Sequence, residues 1–376
     1  MNQIRQRGFS LVELMVGIVI ALLALLVITG FLVVYSQQQK TTVSANEAQN
    51  TGMVAAYLIE RELRMAGYGL TTPAALGCTV HFKNGKVVAE PVRITRDNVT
   101  GSDQISVFYA TDSRAPLAAR VTETTTNTFS LNKEHGIFLN PGDVVLFTPD
   151  IGNDTSPAAG NCDGISGRDC VLGQSTRTSE VGSSFQTQLG SSYEKNGKTY
   201  ESPYNSGNGK LNICTSPASN IPITGGDVIP FGDPAHYIFA VTPQQQLTRQ
   251  STVPTDTGQE VIAEGVVALR AQYILDTDGD GQSDQFVDPW DTQPSNWNWT
   301  HVVGIRFALV SRNDRRDPEK TMANGSLELW PGTTLANGTE IPTQNLALTE
   351  EQQHYRYRVY QTIVPLRNYI WNPAKS

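Results

Sequence analysis

One short stretch concentrates side chains that could bind a metal. Its carboxylates are Asp276, Asp278, Asp280 and Asp284, which stand at positions 1, 3, 5 and 9 of the stretch. Oxygen ligands on alternate residues can curl around one Ca²⁺, and Gly281 at position 6 allows the sharp turn this needs. The backbone carbonyl of Gln282 at position 7 would add a ligand. Four carboxylates this close would otherwise repel one another, so the stretch predicts one Ca²⁺ site.

Two features distinguish this stretch from a complete EF-hand. Position 12 is Val287, where an EF-hand supplies a bidentate Glu, although Asp288 follows directly and could replace it. The flanking segments 272–275 and 285–287 have the pattern of strands, so the site would lie on a hairpin. The alternative is an Asp-Gly turn that joins two strands without a metal. Because such a turn needs one Asp-Gly pair rather than four spaced carboxylates, the spacing favours calcium.

A second candidate is the single carboxylate of Glu13, which lies near the start of an uncharged run that lasts until Lys40. The apolar residues from about 14 to 35 are enough to span a bilayer, which takes ~20 residues. A lone charge in hydrocarbon is costly, so Glu13 needs a partner. Arg5 and Arg7 precede the span, which predicts a cytoplasmic start and an exported remainder. No small-residue cleavage site of the secretory type follows the span.

The residues around Glu13 also form a motif. Gly8-Phe9-Ser10-Leu11-Val12-Glu13 resembles the processing site of type IV prepilins and of type II secretion pseudopilins. The resemblance implies that a prepilin peptidase cleaves between Gly8 and Phe9, and that Phe9 becomes an N-methylated amino terminus. It also implies that Glu13 pairs with the terminal amine of a neighbouring subunit in a fibre. A plain membrane anchor with an accidental Glu is the alternative.

Composition and cysteine number limit the class of protein. The 376 residues carry a formal charge of −8, which argues against binding to nucleic acid. The 32 glycines and 20 prolines suit a loop-rich β domain. An exported chain with four cysteines predicts disulfides, for which three pairings are open. We favour Cys162 with Cys170, across a short loop, and Cys78 with Cys214.

Periodicity predicts the elements that position these residues. A helix is expected from about 9 to 66, and an apolar stripe in its second half would pack on a sheet. The stripe consists of Val54, Tyr57, Leu58, Ile59, Leu63 and Met65. Period-two patterns predict strands at 104–109, 143–147, 236–241, 302–310 and 356–364. The predicted fold class is therefore α+β, with a long amino-terminal helix packed on an enlarged antiparallel β-sheet head.

These patterns divide the chain into a leader peptide and three further regions. They are a leader at 1–8, a transmembrane or fibre-core helix at 9–39, an amphipathic continuation at 40–70 and a β-rich head at 71–376. Within the head, about 150–226 is rich in Gly, Ser, Asn and Thr, which predicts a loop-rich insertion stapled by disulfides. Disorder of this insertion is the alternative. Trp290, Trp297 and Trp299 form a cluster that could bind a partner or a sugar, although packing under the head is the favoured interpretation.

The carboxy-terminal part carries a second resemblance. Residues 264–281, 302–306 and 356–368 resemble the PilW type of minor pilin, which is related to the J minor pseudopilin of type II secretion. The resemblance implies a pilin fold at or near a pilus tip. Its implied partners are the prepilin peptidase, other minor pilins, the major pilin and a large tip adhesin. Before assembly the protein would be a single-pass inner-membrane protein with a periplasmic head.

Other functions remain as alternatives. A minor pseudopilin of a type II secretion system would use the same physical features, and a surface adhesin or ligand-binding module would use the insertion or the tryptophans. The five histidines are scattered without a metal-binding or catalytic spacing. The sequence therefore gives no reason to expect an enzyme.

Overall fold

The computed structural model describes residues 11–83, 85–115, 117–124, 128–132, 137–152, 168–176, 185–205, 224–253, 258–289 and 297–370. A long helix, α1 (Leu11–Met65), precedes a head made of strands, and a short helix, α2 (Arg367–Ile370), follows the last strand. This is the α+β architecture that the sequence predicted.

The strands of the described residues have the following bounds in chain order. They are β1 (Thr79–Phe82), β2 (Gly85–Val88), β3 (Val92–Arg96), β4 (Asp103–Tyr109), β5 (Ala119–Thr124), β6 (Thr128–Leu131), β7 (Val144–Phe147), β8 (Asp169–Gln174), β9 (Phe185–Gln188), β10 (Ser192–Lys195), β11 (Lys198–Glu201) and β12 (Asp227–Pro230). The series continues with β13 (Ala235–Val241), β14 (Gln246–Ser251), β15 (Gln259–Glu264), β16 (Val266–Leu275), β17 (Gln285–Val287), β18 (Val302–Arg312), β19 (Ser326–Trp330), β20 (Thr333–Thr334), β21 (Glu340–Ile341), β22 (Gln344–Ala347) and β23 (Tyr357–Pro365). The five strands predicted from periodicity are confirmed as β4, β7, β13, β18 and β23.

Three sheets make up most of the head. The largest has the order β2-β1-β8-β7-β12-β5-β6-β9, the second β15-β14-β13-β4-β3 and the third β17-β16-β18-β23. Strands β1 and β8 run parallel, whereas the third sheet is antiparallel throughout. Three short pairs, β10-β11, β19-β22 and β20-β21, complete the described topology. Most neighbouring strands therefore pair in antiparallel orientation, as expected for the predicted antiparallel head.

The second half of α1 packs on the second and third sheets through a narrow face. Ile59 and Leu63 are fully buried in a core that includes Phe239, Tyr273 and Phe307 of the two sheets. For these two helix residues the predicted stripe is confirmed.

The rest of that stripe is partly wrong, because Val54 and Tyr57 are 55% and 62% exposed and Met65 is also exposed. The buried face instead runs through Gly52 and Ala55. These small residues let the sheet approach: a Cβ added to Gly52 would overlap the ring of Tyr360 on β23, and the hydroxyl of Tyr360 donates a hydrogen bond to the Gln49 carbonyl at 2.7 Å. Close approach, as well as side-chain hydrophobicity, therefore selects this face of the helix.

A disulfide joins Cys78 to Cys170, so the favoured pairings of Cys162 with Cys170 and of Cys78 with Cys214 are both wrong. These two cysteines are 92 residues apart in the sequence, whereas the expected pair would have closed a short loop. The reason lies in the sheet: β8 pairs in parallel with β1, with Val80 opposite Cys170, which brings the two cysteines together. Cys162 and Cys214 lie outside the described residues.

The predicted insertion at about 150–226 contains a central strand. β8 lies between β1 and β7, and its Leu172 is buried in the core of the large sheet. The segment therefore contributes to the head itself as well as to its loops. Its short apolar run is hidden among Gly, Ser and Asn, which explains why periodicity did not reveal a strand there.

Candidate functional site: an exposed apolar helix and an acidic hairpin loop

The first half of α1 is apolar and entirely uncovered by the head. Leu11–Leu32 is 22 residues long with a mean hydropathy of 3.0, and none of it is buried. By length and composition this segment could cross a membrane. Apolar surface on this scale is unfavourable in water, so the segment requires lipid or other protein around it.

Glu13 lies in the first turn of this apolar half. Its side chain is on the surface of the helix, and within the described chain it forms no ion pair. The partner that its charge requires must therefore come from outside the described residues or from another molecule. Gly8 and Phe9, the residues of the predicted cleavage site, lie outside the described residues.

The acidic stretch forms the connection between β16 and β17, as predicted for a hairpin. Leu275 at the end of β16 pairs with Gln285 at the start of β17. Gly279 and Gly281 have φ angles of 79° and 84°, in the left-handed region that side chains disfavour. The glycine at position 6 thus has the conformational role that the sequence assigned to it.

Three of the four spaced carboxylates converge in this loop. Asp276, Asp278 and Asp284 each offer one oxygen, and the three oxygens all lie within 4.8 Å of one another. Ca²⁺ binds oxygens at about 2.3–2.6 Å, so two ligands of one ion are at most about 5 Å apart. The donor type and the separations therefore fit Ca²⁺. Backbone carbonyls and water would have to supply the remaining ligands.

Burial makes this convergence costly without a cation. Asp276 is 8% and Asp284 is 7% exposed. No Lys or Arg in the described part of the chain forms an ion pair with any of the three carboxylates. Close carboxylates repel one another where water is partly excluded, so a bound cation would stabilise the loop.

Hydrogen bonds from the loop itself hold the carboxylates in place. Gly279 N donates to Asp276 Oδ1 at 2.6 Å, and Gly281 N donates to Asp276 Oδ2 at 2.9 Å. Thr277 donates its hydroxyl and its backbone N–H to Asp284 Oδ2, both at 2.7 Å. These donors lower the pKa of Asp284, the Thr277 hydroxyl most of all. The carboxylate of Asp284 is thus kept charged and oriented.

Two other acidic residues take different roles. The carboxylate of Asp280 accepts hydrogen bonds from Gln282, at 2.7 Å from its backbone and 3.0 Å from its side chain, and it is not part of the converging group. Asp288, the possible substitute for the missing Glu, accepts from the Gln272 side chain at 2.7 Å. Asp288 is therefore committed to the sheet and does not complete the loop.

Comparison with known families gives two matches. Residues 4–29 match the prokaryotic N-terminal methylation motif, and residues 236–368 match PilW, the type IV pilus-assembly protein W. The chain is therefore similar to type IV pilins in its amino-terminal segment and to PilW over about its last third. A search of curated proteins and a search of solved structures gave no significant match.

The PilW region corresponds to a definite part of this pilin-like head. It contains the whole third sheet, β17-β16-β18-β23, and the strands β14 and β15 with nearly all of β13 from the second sheet. The acidic loop lies inside it. Strands β1 to β12, including the large sheet and its disulfide, lie outside the match. The methylation-motif match contains Gly8, Phe9 and Glu13, which are the residues of the predicted processing site.

Sequence reasoning missed a residue that supports the loop from a distance. Asn337, on the connection between β20 and β21, donates to the backbone carbonyl of Asp284 at 3.1 Å. It lies 53 residues further along the chain. An Asn-Gly pair signals a turn, but nothing local to it indicates contact with the acidic loop.

The structure also decides the position of the described tryptophans. Trp299 is buried in the core, and Trp297 packs edge-on against Tyr273, with 5.1 Å between ring centroids. Packing under the head is confirmed for Trp299, while Trp290 lies outside the described residues.

Proposed function

We propose that this protein is a minor pilin, which enters a type IV pilus through α1 and presents its β-rich head near the tip. The observation that carries the proposal is the uncovered apolar half of α1, with Glu13 in its first turn. A helix of this kind buries its surface first in the inner membrane and then among the helices of a fibre. The Glu13 carboxylate pairs there with the amine of a neighbouring subunit, because an unpaired charge in such surroundings is costly.

The matches to the methylation motif and to PilW support this role. Cleavage between Gly8 and Phe9 by a prepilin peptidase would create the amine that Glu13 requires. The proposed partners are other minor pilins, the major pilin and a tip adhesin, and the role is structural rather than catalytic. A minor pseudopilin of a type II secretion system would use the same helix, so the test must separate the two systems.

A clean deletion strain makes this separation. We expect loss of surface pili and of twitching, with normal secretion of exoproteins, and restoration by the gene in trans. Intact pili with blocked secretion would identify a pseudopilin instead. If both pili and secretion persist, the assembly role is wrong and binding of the head to surfaces or glycans becomes the function to test.

The Glu13 pairing has its own experiment. Glu13→Ala should leave cleavage of the leader intact but prevent incorporation into pili, measured by immunoblotting of sheared pili and of membranes. Val16→Ala, one turn further along the same exposed surface, is the matched control and should incorporate normally. Normal incorporation of the Glu13→Ala protein would refute the pairing.

We also propose that the acidic loop binds Ca²⁺ through Asp276, Asp278 and Asp284, and that the ion stabilises the β16–β17 hairpin. The converging oxygens and the burial of two of the three carboxylates support this. With only three carboxylates in the group, we expect the weak affinity of extracellular modules, about 10⁻⁴–10⁻³ M.

Thermal unfolding of the full chain in detergent tests this site. At a calcium concentration ten times the dissociation constant, binding should add about 1.4 kcal/mol of stability. Asp276→Asn should abolish the calcium-dependent rise in melting temperature, whereas Asp280→Asn, outside the converging group, should keep most of it. Equal melting temperatures of the wild-type protein in calcium and in chelator would show that the loop is only a turn.

A further inference from the structure

A hairpin outside both family matches projects from the head. It consists of β10 (Ser192–Lys195) and β11 (Lys198–Glu201), which pair with each other and, among the described strands, with no other. The turn residues Asn196 and Gly197 have φ angles of 54° and 73°, which is typical of a tight hairpin turn. Seven of the eight strand residues are exposed. Most of the hairpin surface is therefore open to a ligand.

Hydrogen bonds at its base hold the hairpin against β8. The buried side chain of Asn205 donates to the carbonyls of Gly190 at 2.6 Å and of Gln174 at 2.8 Å, and it accepts from the backbone N–H of Gln174 at 2.7 Å. The backbone N–H of Ser202 donates to the Ser191 carbonyl at 2.8 Å. The large sheet therefore presents the hairpin in a fixed position, which lowers the entropic cost of binding a ligand.

The two faces of the hairpin differ in charge. Side chains alternate between the faces along each strand, and residues directly opposite each other share a face. The basic face consists of Tyr193, Lys195, Lys198 and Tyr200. The other face consists of Ser192, Glu194, Thr199 and Glu201. Both cations of the hairpin therefore lie on one face and both anions on the other.

The two lysines of the basic face lie directly opposite each other. Lys195 pairs with Lys198 beside the turn, and like charges in this position destabilise a hairpin. Within the described chain neither lysine forms an ion pair, and the carboxylates of the hairpin itself lie on the opposite face. A negatively charged ligand that binds both ammonium groups would remove this repulsion.

Two tyrosines extend the basic face from the lysines toward the head. The rings of Tyr193 and Tyr200 stack with 5.5 Å between centroids, and Lys198 Nζ lies 5.4 Å from the centroid of the Tyr200 ring. Tyr193 rests on the backbone of Gly142, where an added Cβ would lie 2.8 Å from the ring. Tyr200, in contrast, is 40% exposed. The basic face therefore offers an aromatic edge and a hydroxyl beside two ammonium groups.

We propose that the basic face binds an acidic polysaccharide. Lys195 and Lys198 donate to carboxylate or sulfate groups of the polymer, and Tyr200 adds its ring edge and hydroxyl. The hairpin lies outside the residues that match PilW and the methylation motif, so the site goes beyond the proposed assembly role. A head near the tip of a pilus would carry this site to polymers outside the cell.

The arrangement of the rings favours a polysaccharide over single-stranded nucleic acid, which also binds to cations and aromatic side chains. A base would have to stack on the Tyr200 ring, against which Tyr193 and the Lys198 ammonium group already lie. A sugar does not require stacking, because its carboxylates and hydroxyls can accept hydrogen bonds from the lysines and the tyrosine hydroxyl. The basic face therefore suits a ligand that is read through its polar groups.

The test measures binding of the full chain in detergent to alginate and to dextran sulfate, with neutral dextran as the reference. Lys195→Gln combined with Lys198→Gln should weaken binding by about ten-fold or more, because both charge-assisted contacts are lost. Tyr200→Ala should weaken it by about three-fold. Lys83→Gln combined with Lys86→Gln removes the same charge from exposed lysines outside the hairpin, and this control should bind like wild type.

Two further measurements separate binding from folding and from assembly. The protein that lacks both hairpin lysines should melt at the same temperature as wild type or higher, because the facing charges are gone. It should also enter pili normally.

Three results would overturn the proposal. The first is wild-type binding to alginate and dextran sulfate that is no stronger than binding to dextran. The second is unchanged binding after loss of both hairpin lysines. The third is tighter binding to single-stranded oligodeoxythymidine than to either acidic polysaccharide, which would make nucleic acid the ligand of the basic face.

Discussion

The two halves of α1 share one secondary structure but have opposite relations to the rest of the molecule. Leu11–Leu32 is the most apolar part of the helix and no part of it is buried. The second half is far more polar, yet it buries Ala55, Ile59 and Leu63 completely in the head. Hydrophobicity thus predicts that a segment will be removed from water. The tertiary structure decides which segments are buried within the single chain.

The carboxylates of the two halves show the same contrast. Glu62 is 3% exposed, and its oxygens accept from the Tyr109 hydroxyl at 2.5 Å and from Arg61 Nη2 at 2.5 Å. Burial and this carboxylate raise the pKa of Tyr109. Glu13, in contrast, forms no ion pair within the described chain. The fold satisfies one carboxylate, and assembly is proposed to satisfy the other.

The largest difference between the halves should appear when a leucine is truncated in each. Leu63→Ala removes a fully buried side chain and should lower the free energy of unfolding of the head by about 2–5 kcal/mol. Leu22→Ala, in the exposed half, should leave that free energy unchanged. Denaturant unfolding of the full chain in detergent, followed by tryptophan fluorescence, measures both. A comparable loss in the two variants would show that the exposed half contributes to folding of the head.

Lower pH should also affect the head, on which the second half of α1 packs, differently from the exposed first half. Burial lowers the pKa of His236, which packs beside Phe108, from 6.5 to about 4. Between these values the unfolded chain binds a proton that the folded head does not, so stability is lost as the pH falls from 6.5 to 4. The loss can reach about 3 kcal/mol.

Unfolding of the head measured at several pH values tests this effect. The helix at Leu11–Leu32 should persist in detergent over the same pH range, which circular dichroism would detect as helix content that remains after the head unfolds. The His236→Gln protein should show a shallower dependence on pH in the same range. An unchanged slope in this variant would assign the acid sensitivity to other groups.

Adding one methyl group to a glycine in each half tests the contrast on a smaller scale. Gly52→Ala places a Cβ against the Tyr360 ring and should cost about 1–3 kcal/mol through overpacking. Gly30→Ala meets no atom within 4 Å and should be neutral or favour the helix. The same unfolding experiment measures both. Equal stability of the two proteins would mean that the helix can shift away from β23 without cost.

The smallest effect is expected from neutralising a carboxylate in the docked half. Glu62→Gln weakens the charged hydrogen bonds to Tyr109 and Arg61 and should cost about 1–2 kcal/mol. Glu60→Gln breaks only the exposed pair with Arg64 and should cost less than about 0.5 kcal/mol. Thermal unfolding at neutral pH compares them. A larger loss in the Glu60→Gln protein would contradict the importance of burial.

Local patterns predicted much of this protein from the sequence. The apolar run and the amphipathic stripe after it gave the extent of α1, because helix formation depends on neighbouring residues. Alternation gave the strands β13, β18 and β23, and the spacing of Asp and Gly placed the acidic stretch on a hairpin. The processing motif by itself indicated a pilin-like protein, because its residues are contiguous in the chain.

Contacts between residues distant in sequence were decided by tertiary structure alone. The partner of Cys170 depends on the pairing of β8 with β1, and the support of Asp284 by Asn337 depends on the position of another hairpin. The docked face of α1 was predicted correctly at Ile59 and Leu63 but not nearer its start, because close approach there favours Gly52 and Ala55 over larger apolar residues. A sequence states which residues avoid water, but only the folded chain determines which surfaces meet, because packing depends on shape across the whole head.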